Sequence, residues 1–181
     1  MDNPTTLLVA IMFVTIVVTG IVNILMFLSS LLAGESRASM LHASWLILLL
    51  VIYLCFFWQA QLILEINGWQ FLSFIGFILG PIALLFAGNM VTAGYDGGDQ
   101  EGLDQFYFSF CKRFFLLMLF VQAWGIGLDI AFESVDFVTY LDGVIGVLFV
   151  VLMYSKNHRL HVTGAVLAGL AFLTRAALLT F

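Results

Sequence analysis

Six apolar runs of bilayer-crossing length take up nearly the whole of this chain, and they dictate what it can fold into. They are Thr5–Ala33, Leu41–Glu65, Phe71–Gly94, Phe106–Leu128, Phe137–Tyr154 and Leu160–Phe181. Crossing about 30 Å of hydrocarbon takes about 20 apolar residues in a helix. A helix also satisfies its own backbone hydrogen bonds, which lipid cannot do for it. The sequence therefore predicts an all-α fold, a polytopic membrane protein built as a bundle of six transmembrane helices in one domain, residues 1–181. The loops are short, at Gly34–Met40, Ile66–Gln70, Tyr95–Gln105, Asp129–Asp136 and Ser155–Arg159. Short loops make successive helices antiparallel neighbours.

Composition agrees with that reading. Charged residues make up 9% of the chain and hydrophobic ones 63%, whereas about a quarter of a soluble domain is charged. The net charge of −5 comes mostly from loop acids, and the absence of a basic block argues against a nucleic-acid partner. Cys55 and Cys111 fall in or beside apolar runs and read as small packing residues. The first run lacks a basic flank and exceeds the length of a signal-peptide core, so it reads as a retained helix.

Arg37, Lys112, Arg113, Lys156 and Arg159 share one side of the bundle, and Arg175 alone lies nearer the other. Basic loops stay in the cytoplasm, which places both termini on the outer side. Lys156 and Arg159, with His158, and the pair Lys112-Arg113 suit anionic lipid headgroups. The fourth helix has an alternative start near Phe114, with Asp104–Arg113 lying in the interface. The acidic loop Asp96–Asp104 does not follow the spacing of a calcium-binding loop and reads as a solvated turn.

An ionisable side chain inside a membrane costs at least about 2.5 kcal/mol at a helix centre, so each needs a reason. Asp142 and Arg175 both fall about 9 Å below the outer surface at 1.5 Å per residue, which predicts that they meet. Either they line a proton or ion path or they neutralise one another as a structural pair. Trp58, Gln61 and Glu65 stand at i, i+3 and i+7 and so share one face of the second helix. With Asn23, Thr19, Asn89 and Gln122 they make up a candidate polar seam, and each singly also suits a bond between helices.

Gly80-Pro81 predicts a kink at the centre of the third helix. Gly76/Gly80, Gly164/Ala168 and Ala165/Gly169 are spaced for close helix approach. His42 and His161 open the second and sixth helices at similar depth. They are remote candidates for haem ligation, against a plainer expectation of interfacial residues near headgroups. Hydrolase, nucleotide-binding and dithiol motifs are absent from the sequence.

The order of Phe57-Trp58, Trp69-Gln70-Phe71, Gly80-Pro81, the acidic loop and Phe106–Phe115 with Lys112-Arg113 resembles a family of bacterial inner-membrane proteins with no established activity. The likeness covers about 41–119. The chain departs from the pattern in its single basic pair before the fourth helix and in lacking a proline at the end of the third. The resemblance implies a bacterial inner (cytoplasmic) membrane and supplies no mechanism.

Three expectations about function follow. The first is a small ion, proton or solute channel or transporter, oligomeric, with Glu65, Asp142, Arg175, Asn23 and Gln61 along its path. The second is an accessory subunit that packs against other membrane subunits or lipid. The third is a haem or quinone redox protein using His42 and His161. No cofactor is implied by the first two.

Overall fold

The computed structural model describes residues 4–36, 38–66, 68–93, 100–131 and 137–178, and within them the side chains of Glu65, Asp104 and Arg175, among others, lie outside the description. It is all-helical over these residues, with six α-helices. They are α1 (Pro4–Leu32), α2 (Met40–Gln59), α3 (Phe71–Val91), α4 (Gln100–Ala131), α5 (Phe137–Tyr154) and α6 (His158–Leu178). Four of them, α1, α2, α3 and α4, contain stretches long and apolar enough to cross a membrane; the apolar part of α5 is shorter.

Local chemistry sets the ends. Ser39 caps α2 by accepting the His42 backbone N–H at 3.2 Å, which satisfies one of the donors a helix start leaves over. Past Gln59 the chain tightens into a 3-10 segment, Ala60–Glu65, before the turn at Gly68, whose φ of 76° suits glycine. Asn157 caps α6 by accepting the Arg159 N–H at 3.0 Å. The fourth helix begins at Gln100, six residues before the expected Phe106. Hydropathy marks only the apolar part of a helix, and 32 residues span about 48 Å at 1.5 Å per residue, more than the about 30 Å that crossing a bilayer would take. Its polar first turns are therefore invisible to a criterion based on apolar runs. The helix is continuous through 104–113, so the alternative start near Phe114 does not hold.

The proline of α3 does not interrupt it: the helix runs through Pro81 to Val91. Gly80 lies directly under Trp124 of α4, where an added Cβ would come within 2.3 Å of the indole. The Trp124 indole N–H donates to the carbonyl of Gly76 at 2.9 Å. The Gly76/Gly80 pair thus receives one large side chain from the next helix rather than a second backbone.

The helices form a ring in the order α1, α3, α4, α5, α6, α2 and back to α1. Despite their short connection, α2 and α3 touch only lightly, and α3 packs chiefly on α1 and α4. Antiparallel neighbours by sequence hold well for α4 and α5 and poorly here. The reason is α2 itself, whose buried face turns toward α1, α6 and the aromatic side chains of α4 and α5. Leu41, Trp45, Leu46, Leu49, Ile52 and Tyr53 are all buried. Trp45 meets Phe114, Phe115 and Phe149 at ring distances of 5.6, 5.0 and 6.2 Å, and so ties α2 to α4 and α5. Tyr53 lies between Gly20 of α1 and Gly88 of α3, and its hydroxyl donates to the Leu84 carbonyl at 2.7 Å.

Large apolar side chains also cover much of the outward surface. On α5 the inward face carries Asp142, Ile145, Phe149 and Leu152, all buried. The opposite face carries Phe137, Tyr140, Val144, Val147, Val151 and Tyr154, all exposed. Water would penalise such a face at about 25 cal/mol per Å² of apolar surface; lipid would not.

Candidate functional site

Buried polar side chains gather at the two ends of α4. Tyr107 and Asp129 are twenty-two residues apart on that helix, about 33 Å at 1.5 Å per residue. Between the two ends the bundle is filled by Trp45, Phe114, Phe115, Met118, Ile145 and Phe149, each at most 2% exposed.

At the Asp129 end, α4 and α5 share a polar seam. Asp142 is fully buried, with Thr139 one turn before it and Gln122 facing it from α4. The Gln122 amide donates to the backbone carbonyl of Asp142 at 3.5 Å, and the Thr139 hydroxyl donates to the Asp129 carboxylate at 2.8 Å. Periodicity puts Asp142 here: it shares the i, i+3, i+7 face of Ile145 and Phe149 that turns inward. A carboxyl in such a place either shares a proton or a partner or imposes a cost of several kcal/mol.

The expected contact of Asp142 with Arg175 rests on a side chain outside the described residues, as does any role for Glu65. Their helices, α5 and α6, are packed together.

At the Tyr107 end, a buried histidine network joins α4, the α5–α6 turn and α6. His161 is 0% exposed. Its Nε2–H faces the Ser155 carbonyl at 3.0 Å, so Nδ1 is left to accept, and the Tyr107 hydroxyl donates to it at 3.0 Å. The rings of Tyr107, Phe108 and Phe115 enclose it. Cys111, one turn on from Tyr107, is buried beside this group. His42 is buried too, between Phe27, Phe106 and Phe110, with Nε2 against the Val91 carbonyl. Phe110 also touches Tyr107, which places both histidines on one aromatic cluster at the start of α4.

These positions bear on two expectations. Neither histidine lies on the surface of the bundle, because the aromatic run 106–110 covers both. Haem ligation would cost protein hydrogen bonds: both ring nitrogens of His161 are engaged, and so is Nε2 of His42. An axial ligand needs one unprotonated nitrogen aimed at the metal.

Among the described residues, the seam expected along α2 is not assembled. The chain leaves α-helical geometry at Ala60, so the spacing of Trp58, Gln61 and Glu65 no longer fixes one face. Trp58 and Gln61 are exposed on the outside of the bundle. Asn23 donates to Asn89 at 2.9 Å, a bond between α1 and α3, and Thr19 bonds back to Thr15 within its own helix. The sequence reading missed Tyr107 and Tyr53. Tyr107 stood in a run of phenylalanines, where its hydroxyl was the signal that a polar partner had to be near.

A groove of about 570 Å³ opens between α3 and α4, walled by Trp69, Phe77 and Trp124 and floored by Gly76 and Gly127. Lys112, Arg113, Lys156 and Arg159 are exposed at the opposite end. Comparisons of the chain with protein-family models, curated proteins and solved structures give no match. The resemblance to a bacterial inner-membrane family therefore stands on the quoted residues alone.

Proposed function

We propose that the protein is an integral protein of a bacterial inner membrane, with six spans and both termini outside, that moves a proton, an ion or a small solute as part of an oligomer. The observation that carries this reading is Asp142. A fully buried carboxyl on the inward face of a helix whose outward face carries only aliphatic and aromatic side chains is costly for a scaffold and useful to a carrier. The histidine–tyrosine network at the other end offers a second set of groups able to exchange protons. The aromatic layer between them suits a closed state in which the two ends open in turn. Proton and ion flux into proteoliposomes tests the proposal: wild type conducts above empty vesicles and Asp142→Asn loses most of that flux. Identical flux at the empty-vesicle level for both rejects it.

An accessory role is the second reading, supported by the exposed stripe of α5, which fits a neighbouring membrane helix as well as lipid. Native mass spectrometry after mild extraction separates the two, since an accessory subunit leaves the membrane with a stoichiometric partner. The redox reading ranks third because it costs the hydrogen bonds of His161; a Soret band in the purified protein would revive it.

A further inference from the structure

The two basic pairs stand forty-four positions apart in the sequence, and the fold brings them to one place. Lys112 of α4 lies with its ammonium 5.6 Å from the ring centroid of Tyr154, the last residue of α5. The next three residues form the turn that carries Lys156, and the first turn of α6 follows with Arg159; all four cations are exposed. The turn is held rigidly. Ser155 Oγ accepts the Asn157 N–H at 3.1 Å, Asn157 accepts the Arg159 N–H at 3.0 Å, and the Ser155 carbonyl takes Nε2–H of buried His161. Tyr107 then ties His161 to α4, the helix that carries Lys112 and Arg113. Both halves of the patch are thus fixed to one frame. Just beyond it begins the apolar outward face of α5, with Tyr154, Val151 and Val147 exposed.

We propose that Lys112 and Arg113 of α4, with Lys156 of the α5–α6 turn and Arg159 at the start of α6, form one composite site for the headgroup of an anionic phospholipid, its acyl chains lying along the outward face of α5. Charge complementarity selects the headgroup, and the adjoining apolar stripe selects a lipid over a free anion. Long basic side chains at a helix end extend their charges to the interface while their stems stay in the apolar layer. A fixed turn presents Lys156 and Arg159 with little ordering cost, near the end of α5 that Lys112 touches. The inference rests on the membrane reading and does not depend on whether the protein transports anything.

The test is lipid retention by native mass spectrometry after extraction from vesicles of equal phosphatidylglycerol and phosphatidylcholine. Wild type retains the anionic lipid selectively. The variants Lys112→Gln/Arg113→Gln and Lys156→Gln/Arg159→Gln each lose affinity by on the order of tenfold or more, and the fourfold variant loses selectivity. Inorganic phosphate at millimolar concentration leaves the bound lipid in place. Unchanged selectivity in the fourfold variant, an effect confined to one pair, or displacement by inorganic phosphate would each overturn the proposal. Resistance to alkaline carbonate extraction reads membrane residence separately. Extraction of wild type removes the membrane reading itself, whereas a resistant but unselective protein removes this site alone.

Discussion

Gly20 of α1 lies flat against the ring of Tyr53 of α2, so close that a methyl group on Gly20 would sit 2.2 Å from a ring carbon. Gly88 of α3 flanks the same side chain from the other direction, 2.7 Å from the hydroxyl by the same measure. The slot is what lets α1 and α3 close on α2. Gly20→Ala should therefore lower stability by about 1–3 kcal/mol, the usual cost of overpacking. Gly76→Ala, whose methyl would meet nothing within 4 Å, should be neutral or slightly stabilising. Unfolding of the two variants in mixed micelles compares them directly, and equal stabilities would show that the slot has room to give.

Tyr107 and His161 form a second cross-link, this one between α4 and α6 at 3.0 Å. A double-mutant cycle with Tyr107→Phe and His161→Leu should show a coupling of about 1 kcal/mol, typical of hydrogen bonds between membrane helices. Independent effects of the two substitutions would mean that the phenol and the imidazole are neighbours without a bond.

Asn23 and Asn89 link α1 to α3 at 2.9 Å. Replacing either with alanine should cost about 0.6–2 kcal/mol, and replacing both should cost little more than replacing one. If Asn23 instead belongs to an ion path, Asn23→Ala should change flux out of proportion to stability; equal flux at reduced stability points to a packing role.

The proposed orientation also has a direct check. In a Cys55→Ser/Cys111→Ala background, Lys156→Cys should react with an impermeant maleimide in inverted vesicles and stay protected in intact cells. Gln70→Cys, at the far end of the bundle, should behave in the opposite way. Reaction of both from the same side would refute an odd number of spans between them.

The helices were legible because hydropathy depends on residue type alone. The fifth run, Phe137–Tyr154, coincides with α5, and the first and third runs end within three residues of the helices formed. The inward position of Asp142 and the bond between Asn23 and Asn89 lie close behind, since polar residues on an apolar helix have few places to go. What the sequence withheld depends on helix rotation and on order around the ring. Neither the Tyr53 slot nor the Tyr107–His161 bond can be read without knowing which face α2 turns inward and that α6 returns to it. The Gln61 seam failed for a local reason, a change from 3.6 to about 3 residues per turn at Ala60.

That return of α6 to α2 has a consequence for how the molecule is made. Roughly one hundred residues separate the end of α2 at Gln59 from the start of α6 at His158. At translation rates of about 5–20 residues per second, the flank of α2 waits some 5–20 s for its last neighbour. During that interval the incomplete bundle presents Leu48, beside which Gly169 of α6 will settle, to whatever surrounds it. A chain cut before His158 would keep its first five helices and lack the one that closes the ring, and quality-control proteases would meet it as an open bundle.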